Sequence, residues 1–431
     1  MEVRTFPALS DDDEPFVERL GAGLGDRPAR VLAYLLLRAE RDGVGDEPAT
    51  LLTVQVGTGL GRNAVTDALS SLEDRGLVTA TTVQDETRGR PPQAWEVAYG
   101  PASAPGRVYD RHADRLLDRA RTAFDVGDES AESAQFSDSD DADRDDDADR
   151  EFTVGLNWTP NGLHLPLFAA AGRDEYADRG LSVDFAEHRG SSASLAAVAS
   201  GEADVGVAGA VSLVEARRRG EPVVPLALLF QRAMTVLYAE RDRFDGGLES
   251  VEQLRGRRVG MPVESEAGLL GRLFLAQSGV LADVELVDIA GEERRALLDG
   301  EADAVTGSFS DPRELREDGV RTDSLRVADQ FPICGPSLVA TEGALRRRRG
   351  PLAEFLAATA AGWAAAVSRP YEVSTGSGII FDDDERRTFE RAVGEFGAND
   401  AVCEHGWGWQ DRETWDRLET ALSVADLDAD E

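Results

Sequence analysis

One short stretch in the middle of the chain combines an aromatic ring, two amides and an imidazole. The sequence Asn-Trp-Thr-Pro-Asn-Gly-Leu-His occupies residues 157–164. The indole of Trp158 can stack on a flat heterocycle, and the amides of Asn157 and Asn161 offer paired donors and acceptors. His164 falls in the first turn of the helix expected next. These residue types suit a flat, polar ligand; core packing is the alternative for Trp158 and His164.

Short β-rich runs alternate with amphipathic stretches from Phe152 onward, and helical patterns dominate from Gly350. Strands alternating with helices imply βαβ units and a largely parallel sheet. Open sheets of this kind bind ligands at the carboxyl ends of their strands, which is where Asn157 and Trp158 are expected. The predicted strands are Phe152–Asn157, Leu181–Ala186, Asp204–Val207, Val223–Leu229, Arg258–Met261, Val284–Ile289 and Ala302–Thr306.

Three further strand ends carry candidate ligand-binding residues. Gly209 lies in a turn between a strand and a helix, where backbone N–H groups can receive an anionic or carbonyl group. In the second half, Glu264 and Ser265 follow one strand, and Ser308 and Phe309 follow another. Glu264 can accept a hydrogen bond from an exocyclic amine, or it can serve only as an acidic residue at a helix N-terminus.

The first hundred residues show a different pattern of helices followed by a hairpin. Gly76 is expected to end the third helix in the left-handed conformation of a C-cap. The predicted helices are Arg27–Arg41, Thr50–Thr58 and Arg62–Arg75, and the predicted strands are Leu77–Val83 and Gln93–Tyr99. Together with the run Leu-Ser-Ser-Leu-Glu-Asp-Arg-Gly-Leu-Val at residues 69–78, this order resembles the winged helix-turn-helix family over residues 27–100.

The resemblance implies a DNA-binding domain. Arg62, Asn63 and Thr66 lie on the third helix, which that family places in the major groove, and Arg88 and Arg90 lie on the wing. The alternative is a winged helix that contacts only protein. Residues 27–104 hold eight Arg against ten Asp or Glu, so the basic footprint usual for DNA binding is missing.

Two segments connect the halves of the chain. Residues 105–124 predict an amphipathic helix, which either mediates a homodimer or packs against its own chain. Residues 125–151 hold thirteen Asp or Glu and two Arg, a composition that predicts an extended, disordered acidic linker. The predicted domains are therefore 1–104, for the DNA-binding domain, and 152–431, for a small-molecule-binding unit.

The second half resembles the periplasmic-binding-protein fold, specifically the thiamine-pyrimidine-precursor-binding family, over residues 152–425. The segments that carry the resemblance are 157–164, 200–206, 254–260 and 299–305. The last three are common in the fold, whereas the first is typical of the pyrimidine-binding branch. The resemblance implies a multidomain chain, an α+β winged helix followed by a two-lobed α/β domain of type II.

Enzymatic relatives in that family form a Schiff base between pyridoxal phosphate and a lysine, and use iron near a cysteine-rich motif. This chain contains no lysine, so that Schiff base cannot form. Its only cysteines are Cys334 and Cys403, and the segment expected to hold the cluster has one thiol. We therefore expect no enzyme activity, no cofactor and no metal.

The acidic composition and the absence of lysine predict a protein of a high-salt cytoplasm. The net charge is −36 and all 46 basic residues are arginine, which favours a halophilic origin over an ordinary acidic protein. Two cysteines do not make a disulfide framework. No apolar signal core or membrane span is predicted. The combined prediction is a cytoplasmic transcription regulator that binds promoter DNA and senses a thiamine pyrimidine precursor. The alternatives are a sulfonate, taurine or nitrate sensor, and an intracellular binding protein without DNA affinity.

Overall fold

The computed structural model describes residues 8–40, 47–83, 91–127, 150–263, 265–289, 291–330, 332–376 and 378–424. Glu264, Arg88 and Arg90 lie outside these residues, as does most of the acidic segment at 125–151. The predictions made for them are therefore not addressed by the structure.

Sixteen helices and thirteen strands can be assigned in the described residues. The helices are α1 (Glu14–Leu24), α2 (Asp26–Glu40), α3 (Leu51–Thr58), α4 (Arg62–Asp74), α5 (Ala104–Ala123), α6 (Leu165–Gly172), α7 (Ser191–Ser200), α8 (Ala210–Arg218), α9 (Glu266–Gln277), α10 (Glu293–Leu298), α11 (Asp311–Glu317), α12 (Glu342–Arg347), α13 (Arg349–Ser368), α14 (Asp383–Phe396), α15 (Asp400–His405) and α16 (Arg412–Val424). The strands are β1 (Ala49–Thr50), β2 (Thr79–Thr82), β3 (Gln93–Glu96), β4 (Glu151–Leu156), β5 (Ser182–Glu187), β6 (Val205–Ala208), β7 (Val223–Leu228), β8 (Thr235–Glu240), β9 (Arg258–Met261), β10 (Glu285–Asp288), β11 (Ala304–Ser308), β12 (Thr322–Arg326) and β13 (Ser337–Thr341).

The N-terminal module, residues 8–100, contains α1 to α4, which pack on one another, and a small antiparallel sheet of order β1-β3-β2, whose β1 contacts α3. Thr50 begins α3 by accepting a hydrogen bond from the Thr53 amide at 3.3 Å. Gly76 follows α4 with φ at 65°, the left-handed conformation expected of it. The three predicted helices and the hairpin strands are present, and α1 is an additional helix that the sequence pattern did not predict.

Two five-stranded sheets form the two lobes of the remaining chain. Their strand orders are β5-β4-β6-β13-β7 in the first lobe and β10-β9-β11-β8-β12 in the second. Each sheet is mixed, since β4 and β9 pair in parallel with both neighbours while β13 and β8 pair antiparallel with theirs. The prediction of a largely parallel sheet is therefore wrong. The three strands that it lacked, β8, β12 and β13, are the ones that make the antiparallel pairs.

The chain crosses between the lobes twice. It leaves the first lobe after β7 to form β8, and it returns after β12 to form β13. Because β13 lies between β6 and β7, the returning strand is inserted into the interior of the first sheet. The two lobes are thus joined by two short connections, which is the architecture expected of a two-lobed ligand-binding domain.

Helix α5 lies between the N-terminal module and the first lobe. It packs against α1 of the module and against α13 and β7 of the first lobe, and α1 itself also packs against α13. His112 is buried on this helix, and its Nε2 donates to the Trp407 carbonyl at 2.6 Å. Asp118 adds an ion pair with Arg349 at 2.9 Å. The apolar face of α5 that could serve a second copy is therefore occupied within the chain.

None of the helices that the structure describes is long and apolar enough to cross a membrane. Among the same residues, no group of three or more His, Cys, Asp or Glu side chains is arranged to hold a metal ion.

Candidate ligand-binding site

Asn157 and His164 form a hydrogen-bonded pair at the carboxyl end of β4. His164 is buried, and its Nε2 donates to the Asn157 Oδ1 at 3.1 Å. Asn157 is only partly buried, and its amide nitrogen has no partner in the described part of the chain. His164 therefore orients the Asn157 amide from behind, and Asn157 presents the free donor.

Trp158 is the exposed aromatic residue of this edge. Its side chain is 56% exposed, which separates it from the buried aromatic core of the lobe. A large apolar ring left in water at the end of a central strand suits stacking on a ligand.

Asn161 has a local structural role. Its Oδ1 accepts from the Leu163 amide at 3.0 Å, and its Nδ2 donates to the Thr159 carbonyl at 3.0 Å. Both ends of the side-chain amide are thus engaged by the turn that precedes α6. Asn161 shapes the loop that carries Trp158, and it has less hydrogen-bonding capacity for a ligand than Asn157.

Burial of His164 makes stability depend on pH. Desolvation lowers the pKa of His164 from 6.5 to about 4. Since the folded pKa lies below the unfolded one, the stabilisation is complete above pH 6.5 and is lost as the pH falls towards 4.

We expect His164→Gln, which can still donate to Asn157 but does not titrate, to reduce this acid sensitivity. Between pH 7 and pH 5, its free energy of unfolding should fall by about 2 kcal/mol less than that of the wild type. Urea titrations at the two pH values measure the difference. His112 has its pKa lowered to about 3 by burial and titrates in both proteins, so equal losses would contradict the assignment.

The loops that follow β4, β5 and β6 are joined by hydrogen bonds into one edge. The Gly190 amide donates to the Asn157 carbonyl at 2.9 Å, and the Gly209 amide donates to the Ser191 Oγ at 3.0 Å. Gly209 directly precedes α8. His188, on the loop after β5, has a buried Nε2 with no hydrogen-bond partner among the described residues. His188 and Ser191 were not predicted from the sequence.

The second lobe contributes Glu266 to this edge. Its carboxylate accepts from the Val211 amide at 3.0 Å and from the Ser212 amide at 2.8 Å. The Ser212 hydroxyl donates to the same carboxylate at 2.6 Å. Val211 and Ser212 begin α8 in the first lobe, whereas Glu266 begins α9 in the second. We call this contact the interlobe carboxylate contact.

The other candidates in the second lobe are engaged in the protein. Ser265 caps α9, its Oγ accepting from the Gly268 amide at 3.1 Å. The Ser308 amide donates to Asp311 at 2.8 Å, and burial raises the pKa of Asp311 to about 7. Phe309 is buried with its ring centre 5.1 Å from that of Phe396, which leaves little of the ring for a ligand.

Cys334 lies in the connection between β12 and β13. It is buried, and burial raises the pKa of its thiol to about 12. A thiol of this kind stays protonated at neutral pH, so it is a poor nucleophile and a poor metal ligand.

On the N-terminal module, Arg62, Asn63 and Thr66 are all exposed in the first two turns of α4. The Thr66 hydroxyl donates to the Arg62 carbonyl at 2.9 Å. Asp67 is exposed beside them, so this face carries mixed charge and is not a basic patch.

Comparison with known proteins finds similar sequences and structures for the two-lobed part of the chain. Residues 161–373 match the family described as NMT1/THI5 like. Over these residues, the two-lobed part is similar to that family. In solved structures, a Candida albicans protein described as having the generic periplasmic binding protein structural fold aligns with a TM-score of 0.51 at 14% identity. That alignment covers 65% of this chain and 92% of the other, and it supports the fold of the two-lobed part.

Similar curated proteins include both binding proteins and synthases. The riboflavin-binding protein RibY of Chloroflexus aurantiacus is 25% identical over 64% of this chain and 82% of its own length. The formylaminopyrimidine-binding protein of Halalkalibacterium halodurans is 28% identical over 38% and 49%. A 4-amino-5-hydroxymethyl-2-methylpyrimidine phosphate synthase of Saccharomyces cerevisiae is 30% identical over 26% and 32%. The last two alignments thus span only half and a third of those relatives.

Proposed function

We propose that this protein is a ligand-responsive, DNA-binding transcription regulator whose NMT1/THI5-like domain senses a thiamine pyrimidine precursor or a related flat heterocycle. The observation that carries the proposal is the position of α5, which packs against both α1 of the N-terminal module and α13 and β7 of the first lobe. A module attached in this way experiences any change in the lobe that holds α13 and β7.

Coupling between the two parts has a thermodynamic consequence. If closure of the lobes around a ligand alters the packing of α5, the affinities for ligand and for DNA change by the same factor. Ion pairs and hydrogen bonds reinforce the contact, including Asp110 with Arg179 at 3.2 Å and Arg119 with the Gln410 carbonyl at 3.0 Å. These contacts hold α5 against the first lobe, and the module adds the packing of α1 against α5 and α13.

The proposed ligand class follows from the residues at the carboxyl end of β4 in the first lobe. Trp158 offers an exposed ring face, and Asn157 offers an oriented amide donor. Two of the similar proteins are named for binding riboflavin and formylaminopyrimidine, which are both flat nitrogen heterocycles. Pyridoxal phosphate chemistry is not part of the proposal, because a chain without lysine cannot form the Schiff base.

The DNA-binding half of the proposal rests on the order of elements in the N-terminal module. Three helices followed by a two-stranded hairpin suit a winged helix, with Arg62, Asn63 and Thr66 directed at DNA. A regulator acts in the cytoplasm, and the charge of −36 suits a cell of high internal salt. A homodimer would use surfaces other than the buried face of α5. The alternative remains an intracellular binding protein without DNA affinity.

Thermal unfolding with a panel of ligands tests the sensor assignment. Hydroxymethylpyrimidine, formylaminopyrimidine and riboflavin should each be tried in molar KCl. A ligand present at 100 times its dissociation constant stabilises the folded protein by about 2.7 kcal/mol, which is a shift of several degrees. The absence of any shift across the panel would overturn the ligand class. DNase footprinting on the protein's own promoter tests the regulator class separately.

A further inference from the structure

The N-terminus of α8, in the first lobe, is a position suited to an anion. The unpaired amides at the start of a helix and the positive end of its dipole attract negative charge. Here that position is filled by a carboxylate of the protein itself. Glu266 reaches across from the second lobe and accepts three hydrogen bonds, from the Val211 amide, the Ser212 amide and the Ser212 hydroxyl.

The interlobe carboxylate contact depends on specific residues in both lobes. Gly209 has no side chain, and a Cβ at this position would overlap the carboxyl group of Glu266. Ser212 supplies a hydroxyl in addition to its amide. On the other lobe, Ser265 caps α9 and thereby fixes the helical turn that carries Glu266. Gly209, Ser212 and Ser265 thus all favour the close approach of the Glu266 carboxylate to the N-terminus of α8.

The contact limits which ligands can bind at the edge formed by the loops after β4, β5 and β6. Burial raises the pKa of the Glu266 carboxyl, while the hydrogen bonds from Ser212 and Val211 oppose that shift and favour the charged form. A phosphate or sulfonate arriving at this helix would find the donors occupied and a carboxylate in its place. Repulsion and lost hydrogen bonds both discriminate against such a ligand.

We infer that Glu266 is a specificity-determining residue that excludes ligands with a phosphate, sulfonate or carboxylate group and selects neutral heterocycles. The inference rests on the proposed ligand-binding function of the domain. We therefore expect the domain to bind hydroxymethylpyrimidine more tightly than its phosphate ester, and riboflavin more tightly than riboflavin phosphate. It also disfavours the alternative of a sulfonate, taurine or nitrate sensor.

Anion binding by Glu266 variants tests the inference without requiring that the natural ligand be known. Isothermal titration with inorganic phosphate and with methanesulfonate should be carried out on the wild type, Glu266→Ala, Glu266→Ser and Glu285→Ala. Glu285 is an exposed carboxylate on β10 of the same lobe, so its variant controls for net charge. We expect Glu266→Ala to bind these anions at least tenfold more tightly than the wild type and Glu285→Ala do.

The outcomes separate the inference from the proposed function. The inference is overturned if Glu266→Ala folds but binds the anions no more tightly than the wild type does. It is also overturned if the wild type already binds phosphate or methanesulfonate as tightly as Glu266→Ala does. If Glu266→Ala does not fold, Glu266→Ser, which also vacates the helix donors and suits a helix N-terminus, decides in the same way. Titration of the wild type with both members of each heterocycle pair completes the test. Failure of all four to bind contradicts the ligand class, whereas equal binding within a pair contradicts the role of Glu266.

Discussion

Replacing Leu116 with alanine should lower the free energy of unfolding by about 2–5 kcal/mol. Leu116 is fully buried on α5, and its side chain packs beside Gly408, which precedes the C-terminal helix α16. The substitution leaves a cavity where the N-terminal part of the chain meets the two-lobed part. Because the core is continuous across α5, we expect the variant to retain one cooperative transition at a lower denaturant concentration.

Leu52→Ala is the matched control for this change. It removes the same atoms from a leucine that is 66% exposed on α3, so its effect should stay within about 0.5 kcal/mol. Urea unfolding followed by tryptophan fluorescence and by circular dichroism measures both variants. Two separate transitions, of which only one responds to Leu116→Ala, would show that the two parts fold independently.

Trp158→Ala should weaken binding of the heterocyclic ligand by roughly 5- to 150-fold. The estimate follows from the loss of stacking on the ring, worth about 1–3 kcal/mol when an aromatic side chain is removed from beneath a base. Because Trp158 is more than half exposed, the variant should unfold at the wild-type temperature when no ligand is present.

Trp158→Phe provides the graded comparison, since it keeps a smaller ring face. Its affinity should lie between those of the wild type and of Trp158→Ala. Fluorescence or calorimetric titration with the ligand identified by thermal shift gives the three dissociation constants. Equal affinities in all three proteins would remove Trp158 from the site.

Much of the chain's architecture follows from local pattern. The strand Arg258–Met261 was predicted with the bounds that the structure gives it, because a short apolar run follows a turn there. The left-handed Gly76 was also predicted, because a glycine directly after an amphipathic helix favours a C-cap. Such features depend on residues close together in sequence.

Features that depend on distant residues were not predicted. The strand β13 belongs to the first lobe although it follows the whole second lobe in sequence, and no local pattern indicates that return. Glu266 and Ser212 are separated by 54 positions and lie in different lobes, so their contact requires the tertiary structure. The sequence offers His164 as a ligand-binding residue, and only the structure shows that it is buried and hydrogen-bonded to Asn157.

The affinity for promoter DNA, measured with and without the ligand, tests the central claim most directly. Electrophoretic mobility or fluorescence anisotropy titrations should use a footprinted promoter fragment at fixed salt, since salt alone changes such affinities strongly. We predict that saturating ligand changes the dissociation constant for DNA about 5- to 150-fold, and that DNA changes the ligand's constant by the same factor. Ligand binding that leaves DNA affinity unchanged, or no specific DNA binding at all, would contradict the account.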